Sequence, residues 1–290
     1  MLGFVALVPW LRTLDAGRAA RSPVRTMVNA LAMSVLLTAA MFGWFGLAMA
    51  RYFDVPGVLG LAVLLVLAPV FQPQVWVFAL VRHVVRRRSC TIVGALAGAA
   101  AWVATEWAVP KLLGDTLGHG LYPAALLRQA ADLGGAAGLT FLLLLANEAV
   151  AAAWAAWAAS RGPAERARDR TAVRAIAKPL AAAVAVPLAL AAYGALSPTA
   201  APEPAAPPHA TVRMGLVQSN IVDYERLRRE RGAAEVVREV LDVHYAMSHD
   251  AVERQKVQAL LWSETVYPTT FGRPKSDAGA ELDREIAGIV

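Results

Sequence analysis

The chain has 290 residues, 57% of them hydrophobic and only 17% charged, with a net charge of +6. That balance argues against one or two ordinary soluble domains and for a membrane protein. The charge is unevenly placed, +8 over residues 1–210 and −2 over residues 211–290. The cations lie in short loops between apolar runs, which is a topology signal and excludes a folded nucleic-acid-binding patch.

Residues 1–10 (MLGFVALVPW) are apolar but short of the roughly 20 residues that a helix needs to cross hydrocarbon. No basic segment precedes them, so they do not read as a signal peptide. They read as the tail of a span that begins upstream. Five fuller spans follow, at Met27–Ala50, Val55–Leu80, Thr91–Val109, Ala136–Ala159 and Pro179–Leu196.

Three loops on one face carry the basic residues. The first holds Arg12, Arg18, Arg21 and Arg25, the second Arg82, Arg86, Arg87 and Arg88, and the third Arg161, Arg166, Arg168, Arg170, Arg174 and Lys178. Against these fourteen stand Arg51, Lys111 and Arg128. The excess makes that face cytoplasmic and places everything after Leu196 outside. Between the third and fourth spans, Pro110–Gly135 mixes leucines with Gly114, Gly118, Gly120 and Pro123, the composition of a re-entrant or interfacial segment.

Two acids, Glu106 and Glu148, fall inside apolar spans. A charge at membrane depth is costly, so each is a candidate for contact with a lipid headgroup or a substrate amine. The plainer reading has Glu106 reaching water at the outer end of its span, and Glu148, beside Asn147, hydrogen-bonded to a neighbouring helix. The lone cysteine, Cys90, excludes an intramolecular disulfide and a zinc site built from several Cys. At a span boundary it reads as a small buried or interfacial residue, with no His and carboxylate nearby to activate it.

The domain organisation expected is a transmembrane helical region over 1–196, a Pro/Ala-rich linker over 197–210 and an α/β unit over 211–290. The linker (SPTAAPEPAAPPHA) cannot continue a helix and tends to an extended spacer. The α/β unit opens with a strand at Thr211–Gln218 and a loop through Ser219 and Asn220. The mixed-charge run Tyr224–Arg231 reads as a loop or helix start, and Gly232–Gln255 as an amphipathic helix with Val236, Val240, Val243 and Met247 as its core stripe.

A second strand, Val257–Trp262, then delivers Glu264 at its C-terminal end. Two strands joined by a long helix are most often parallel neighbours, and ligands gather at the C-terminal ends of such strands. After Pro268 the chain is loop-like until DREIAGIV begins another helix. No pair among the five His has a convincing metal spacing; His244 and His249 diverge on their helix. No cofactor and no metal are expected.

The pairing of GLVQSNI (215–221) with LLWSETVYP (260–268) resembles the opening of a carbon-nitrogen hydrolase (nitrilase-like) domain, an α-β-β-α sandwich. Behind a polytopic region, with TEW at 105–107 and QAADLGGAAGLTFLLLLAN at 129–147, the arrangement resembles the apolipoprotein N-acyltransferase family. The resemblance implies that Glu264 is the general base, and Ser263 stands where the family has Pro. It also implies a Cys nucleophile downstream of the Glu and an oxyanion-stabilising Lys on a later strand. Neither Cys90, which lies upstream, nor Lys256 nor Lys275 matches these positions.

The reaction implied passes an acyl chain from a phospholipid acyl donor to a Cys thioester, then to the N-terminal diacylglyceryl-cysteine of an apolipoprotein acceptor. It is carried out by a monomer in the bilayer of the cell inner membrane, with the catalytic domain facing the periplasm and no nucleic acid involved. On this reading the sequence is the front part of a longer enzyme, cut at both ends. The alternatives are a non-catalytic membrane protein whose degenerate outer domain binds or scaffolds, which the changed Pro and missing Cys favour, and a transporter, which leaves the strand-helix-strand unit unexplained.

Overall fold

The structure, a computed structural model, describes residues 2–16, 22–111, 114–160, 170–197, 211–218, 220, 224–263, 272–274 and 276–289. It divides into two compact units, Met1–Ala50 with Pro56–Pro204, and Arg51–Val55 with Ala205–Val290. In the first, a 3-10 turn at Leu2–Phe4 leads to α1 (Val8–Asp15), α2 (Pro23–Tyr52), α3 (Gly57–Phe71), α4 (Pro73–Arg86) and α5 (Thr91–Ala108). A 3-10 turn at Leu117–Leu121, the short α6 (Ala125–Arg128), α7 (Ala131–Ser160) and α8 (Arg170–Leu196) complete it.

Among the described residues four helices are long and apolar enough to cross a membrane: α2, α5, α7 and α8 from Val173, with α3 and α4 together as a bent fifth. Their outward faces carry uncovered apolar side chains such as Val58, Val66, Ile92 and Leu188, more apolar surface than a water-soluble protein tolerates. This is a multi-pass membrane protein.

The apolar start of the chain is not one continuous helix. The helix breaks between Phe4 and Val8, and α1 starts afresh with Pro in its first turn. Backbone groups freed by the break are taken by Asn147 of α7: its Oδ1 accepts from Leu7 N–H at 2.8 Å, and its Nδ2 donates to Gly3 O at 2.8 Å. Trp10, Leu11 and Leu14 of α1 are then buried with Phe78 and Trp102, whose rings stack edge to face at 5.8 Å.

Helices α4 and α5 approach closely because Gly94 and Gly98 face α4. A Cβ at Gly94 would meet Arg86 Cγ at 2.2 Å, and one at Gly98 would touch Phe78 and Arg82 at 3.1 and 3.2 Å.

Non-helical dihedrals at Gly134 and Gly135, the latter with φ 63°, kink the start of α7, so its straight part begins near the expected Ala136. The segment from 114 onward packs there as a non-spanning layer. A Cβ on Gly118 would lie 2.1 Å from Ala136 O, and Gly118 N–H donates to Thr140 Oγ1 at 2.9 Å. Helix α8 runs through Pro179 rather than starting at it.

In the second unit, β1 (Met214–Val217) pairs in parallel with β2 (Ala259–Trp262), from Met214 opposite Ala259 to Val217 opposite Trp262. The connection holds α9 (Tyr224–Arg231), which the sequence left between loop and helix, and α10 (Ala233–Glu253). Helix α11 (Asp277–Ile289) follows, tied to α10 by a two-pronged pair from Arg238 to Glu285 at 2.7 and 3.1 Å. Of the expected sandwich, the described residues contain this two-stranded ladder and the helices after each strand.

The core stripe of α10 differs from expectation. Val236 and Val240 are buried, but Met247 is 40% exposed and the face continues through Leu241, His244 and Ser248. These two polar residues are buried because each finds a partner: His244 Nδ1 donates to Val240 O at 2.8 Å, and Ser248 Oγ accepts from Trp262 Nε1 at 2.9 Å.

The span expected from Val55 to Leu80 is also broken. Gln72 leaves the helical region, Pro73 restarts the helix, and α3 and α4 meet at 43°. Pro73 has no N–H to give Pro69 O, its helical partner four residues back. Trp76 Nε1 replaces it, donating to that carbonyl at 3.0 Å. Trp76→Phe is therefore expected to cost about 1–3 kcal/mol by orphaning the carbonyl. Thermal unfolding in detergent checks this, with Trp154→Phe, at a half-exposed position, expected to leave the midpoint unchanged.

Candidate functional site

The sequence singled out Glu264, which lies outside the described residues. Strand β2 ends at Trp262, whose indole is fixed by Ser248 and lies with its ring 5.2 Å from His244 and 5.6 Å from Tyr245. Ser263, the next residue, is exposed. On the neighbouring strand, Asn220 follows β1 with φ 52°, a left-handed conformation that Asn accepts more readily than most residues. Two parallel strands thus end side by side, β1 at Val217 and β2 at Trp262, two residues before position 264.

Glu148 is paired across to a neighbouring helix, as the plainer reading expected, but the partner is a cation. Arg82 of α4, 3% exposed, donates from Nε to Glu148 Oε1, and its Nη2 donates to Oε2 at 3.0 Å. The other edge of the same guanidinium forks onto Asp15 at 2.8 and 2.9 Å. Arg86 closes the group, 2.6 Å from Asp15 and 3.4 Å from Glu148. Two acids and two arginines from α1, α4 and α7 form one neutral network, buried at Arg82 and Glu148 and open to the surface at Asp15.

The sequence reading put Arg82 and Arg86 in a loop and gave Asp15 no role. A signal was present: Val75, Phe78, Ala79 and Arg82 fall at i, i+3, i+4 and i+7, so Arg82 shares the buried stripe.

Glu106 does not reach water. It is buried and paired with Lys111 Nζ at 2.9 Å, and Lys111 also donates to Asp115 O at 2.5 Å. Cys90 is exposed at the N-cap of α5, ruling out the buried half of its expected reading. His244 is wholly buried, and Lys275 lies outside the described residues. Among the described residues no three His, Cys, Asp or Glu side chains gather as a metal site.

Asp15 lies outside the candidate spans. Burial pushes its carboxyl up, but hydrogen bonds and charge from Arg82 and then Arg86 outweigh that and hold it below the usual carboxylate range. A lowered folded value means that the pairing stabilises fully above the usual range and is lost as pH falls through it. The thermal midpoint should fall on acidification, more shallowly in Asp15→Asn. Glu148→Ala, which strips a buried guanidinium of one partner, is expected to cost about 3–5 kcal/mol. Replacing Arg82 and Glu148 together by Met should recover much of that loss in the same unfolding assay.

Residues 1–149 match the family model described as the apolipoprotein N-acyltransferase N-terminal domain. No curated protein and no solved structure matches the chain. The matched half contains α1 to α5, the layer at 114–130 and α7 as far as Glu148 and the network it closes. By that match the chain belongs to the apolipoprotein N-acyltransferase family.

Proposed function

We propose that the protein is a membrane-bound N-acyltransferase that moves an acyl chain from a phospholipid to the N-terminal diacylglyceryl-cysteine of apolipoproteins, with Glu264 as general base. The observation that carries this reading is the parallel pairing of β1 and β2 behind a membrane domain of this family. It gives the strand-helix-strand unit in which a carboxylate just past the second strand is well placed for catalysis.

In the first step the carboxylate takes a thiol proton, the thiolate attacks the ester carbonyl, and the lysophospholipid leaves with a proton returned to its oxygen. In the second, the free α-amino group attacks the thioester, the thiol is released, and an amide remains. The thiol and the lysine that would stabilise the oxyanion are not matched by residues of this sequence, since its one cysteine, Cys90, precedes Glu264.

The charge pattern supports a periplasmic active site at the inner membrane. Arg82, Arg86 and Lys111 are consumed in ion pairs. With these set aside, twelve basic residues remain on the face read as cytoplasmic against Arg51 and Arg128 on the other.

The test uses the gene product that carries residues 1–290, incubated with phospholipid and assayed for a hydroxylamine-labile acyl group on the protein. Glu264→Gln is expected to slow thioester formation by about 10²–10⁴-fold. Unchanged formation and turnover would remove Glu264 from the mechanism. A wild-type protein that never acquires the acyl group would favour the non-catalytic scaffold suggested by Ser263.

A further inference from the structure

At the junction of α4 and α5 a cleft of about 240 Å³ is lined by Asp15, Thr26, Arg82, His83, Arg86, Arg87 and Thr91, with Leu14 and Ala79 as its apolar wall. Its charge does not cancel. Arg82 and Arg86 are matched by Asp15 and Glu148, while Arg87 has no ion pair among the described residues.

Two buried atoms of the lining residues lack partners, Arg86 Nε and His83 Nε2. His83 is 7% exposed, and its Nδ1 is already engaged with Thr26 Oγ1 at 3.2 Å. Thr26 Oγ1 also bonds Ser22 O, and Nε2 of the ring is the orphan. It would accept from a P–OH or, once protonated, donate to an anion.

Thr91 is the first residue of α5, an 18-residue helix whose N-cap, Cys90, supplies no side-chain cap. The free N–H groups of that first turn and the positive end of the helix dipole favour an anion. Gly94 keeps Arg86 in place, since any Cβ there would strike its side chain.

We propose that this cleft binds a phosphoryl group, held by Arg87, Arg86 Nε, His83 Nε2 and the first turn of α5. A phosphate oxygen satisfies these groups together and offsets the spare charge, which a neutral ligand would leave in place. The cleft lies at the end of α5 opposite Glu106 and Lys111, and it does not depend on the acyl-transfer reading. Phosphoryl groups reach such a site as the headgroup of an anionic phospholipid or as free phosphate.

The experiment titrates the purified full chain in detergent with phosphatidylglycerol and, separately, with inorganic phosphate, reading bound mass by native mass spectrometry and protection by thermal midpoint. Two variants accompany it. Arg87→Gln removes the uncompensated charge. Thr91→Glu puts a carboxylate where the phosphate would sit, and an acid in the first turn of a helix favours folding.

One retained phosphatidylglycerol, weakened about tenfold or more in both variants and not displaced by millimolar phosphate, identifies the lipid headgroup. Phosphate binding with the same loss in the variants identifies the free anion. Binding of neither probe, or binding that both variants keep within twofold of wild type, overturns the proposal.

Discussion

A guanidinium is too strongly hydrated to enter a helix bundle alone, and Arg82 does so because two carboxylates far apart in the sequence meet on its two edges. Asp15 arrives on a short helix from the start of the chain and Glu148 on α7. Removing either acid leaves charge behind in a place where charge is expensive, so the three helices are held to one arrangement. The aromatic cluster of Trp10, Phe78 and Trp102 builds on that arrangement and fills the space beside it.

Charges inside the membrane unit are thus largely used up in pairs: Arg82 and Arg86 with Asp15 and Glu148, Lys111 with Glu106. A carboxylate locked to a guanidinium or an ammonium is a poor proton acceptor. Glu148 is such a group, with both of its oxygens accepting from guanidinium groups, whereas Glu106 keeps Oε2 without a partner. Matched charges stabilise a bundle, whereas a working base needs access to its substrate and an unengaged oxygen.

The spans were legible because length and hydropathy alone decide them, and the parallel strands because a short apolar run, a long amphipathic helix and a second apolar run admit few topologies. The bend at Gln72 was not, since one Gln-Pro step inside an apolar run scarcely alters hydropathy while removing the donor that a straight helix needs. Arg82 was misplaced because a basic residue near a loop is read by its charge, although its helical phase put it inside.

On α10 an apolar-only count chose Val243 and Met247, while the buried face ran through His244 and Ser248, whose hydrogen bonds make burial affordable. Glu264 could be named only by resemblance. A lone carboxylate after a strand carries no periodicity, and it falls outside the described residues.

The contact between Asn147 and the helix break near the N-terminus spans 140 residues from Leu7. During synthesis the first segment of the chain must therefore wait, its freed N–H and carbonyl unsatisfied, until α7 has emerged and been inserted. Residues near Leu7 thus reach this permanent partner only once a helix made much later is in place.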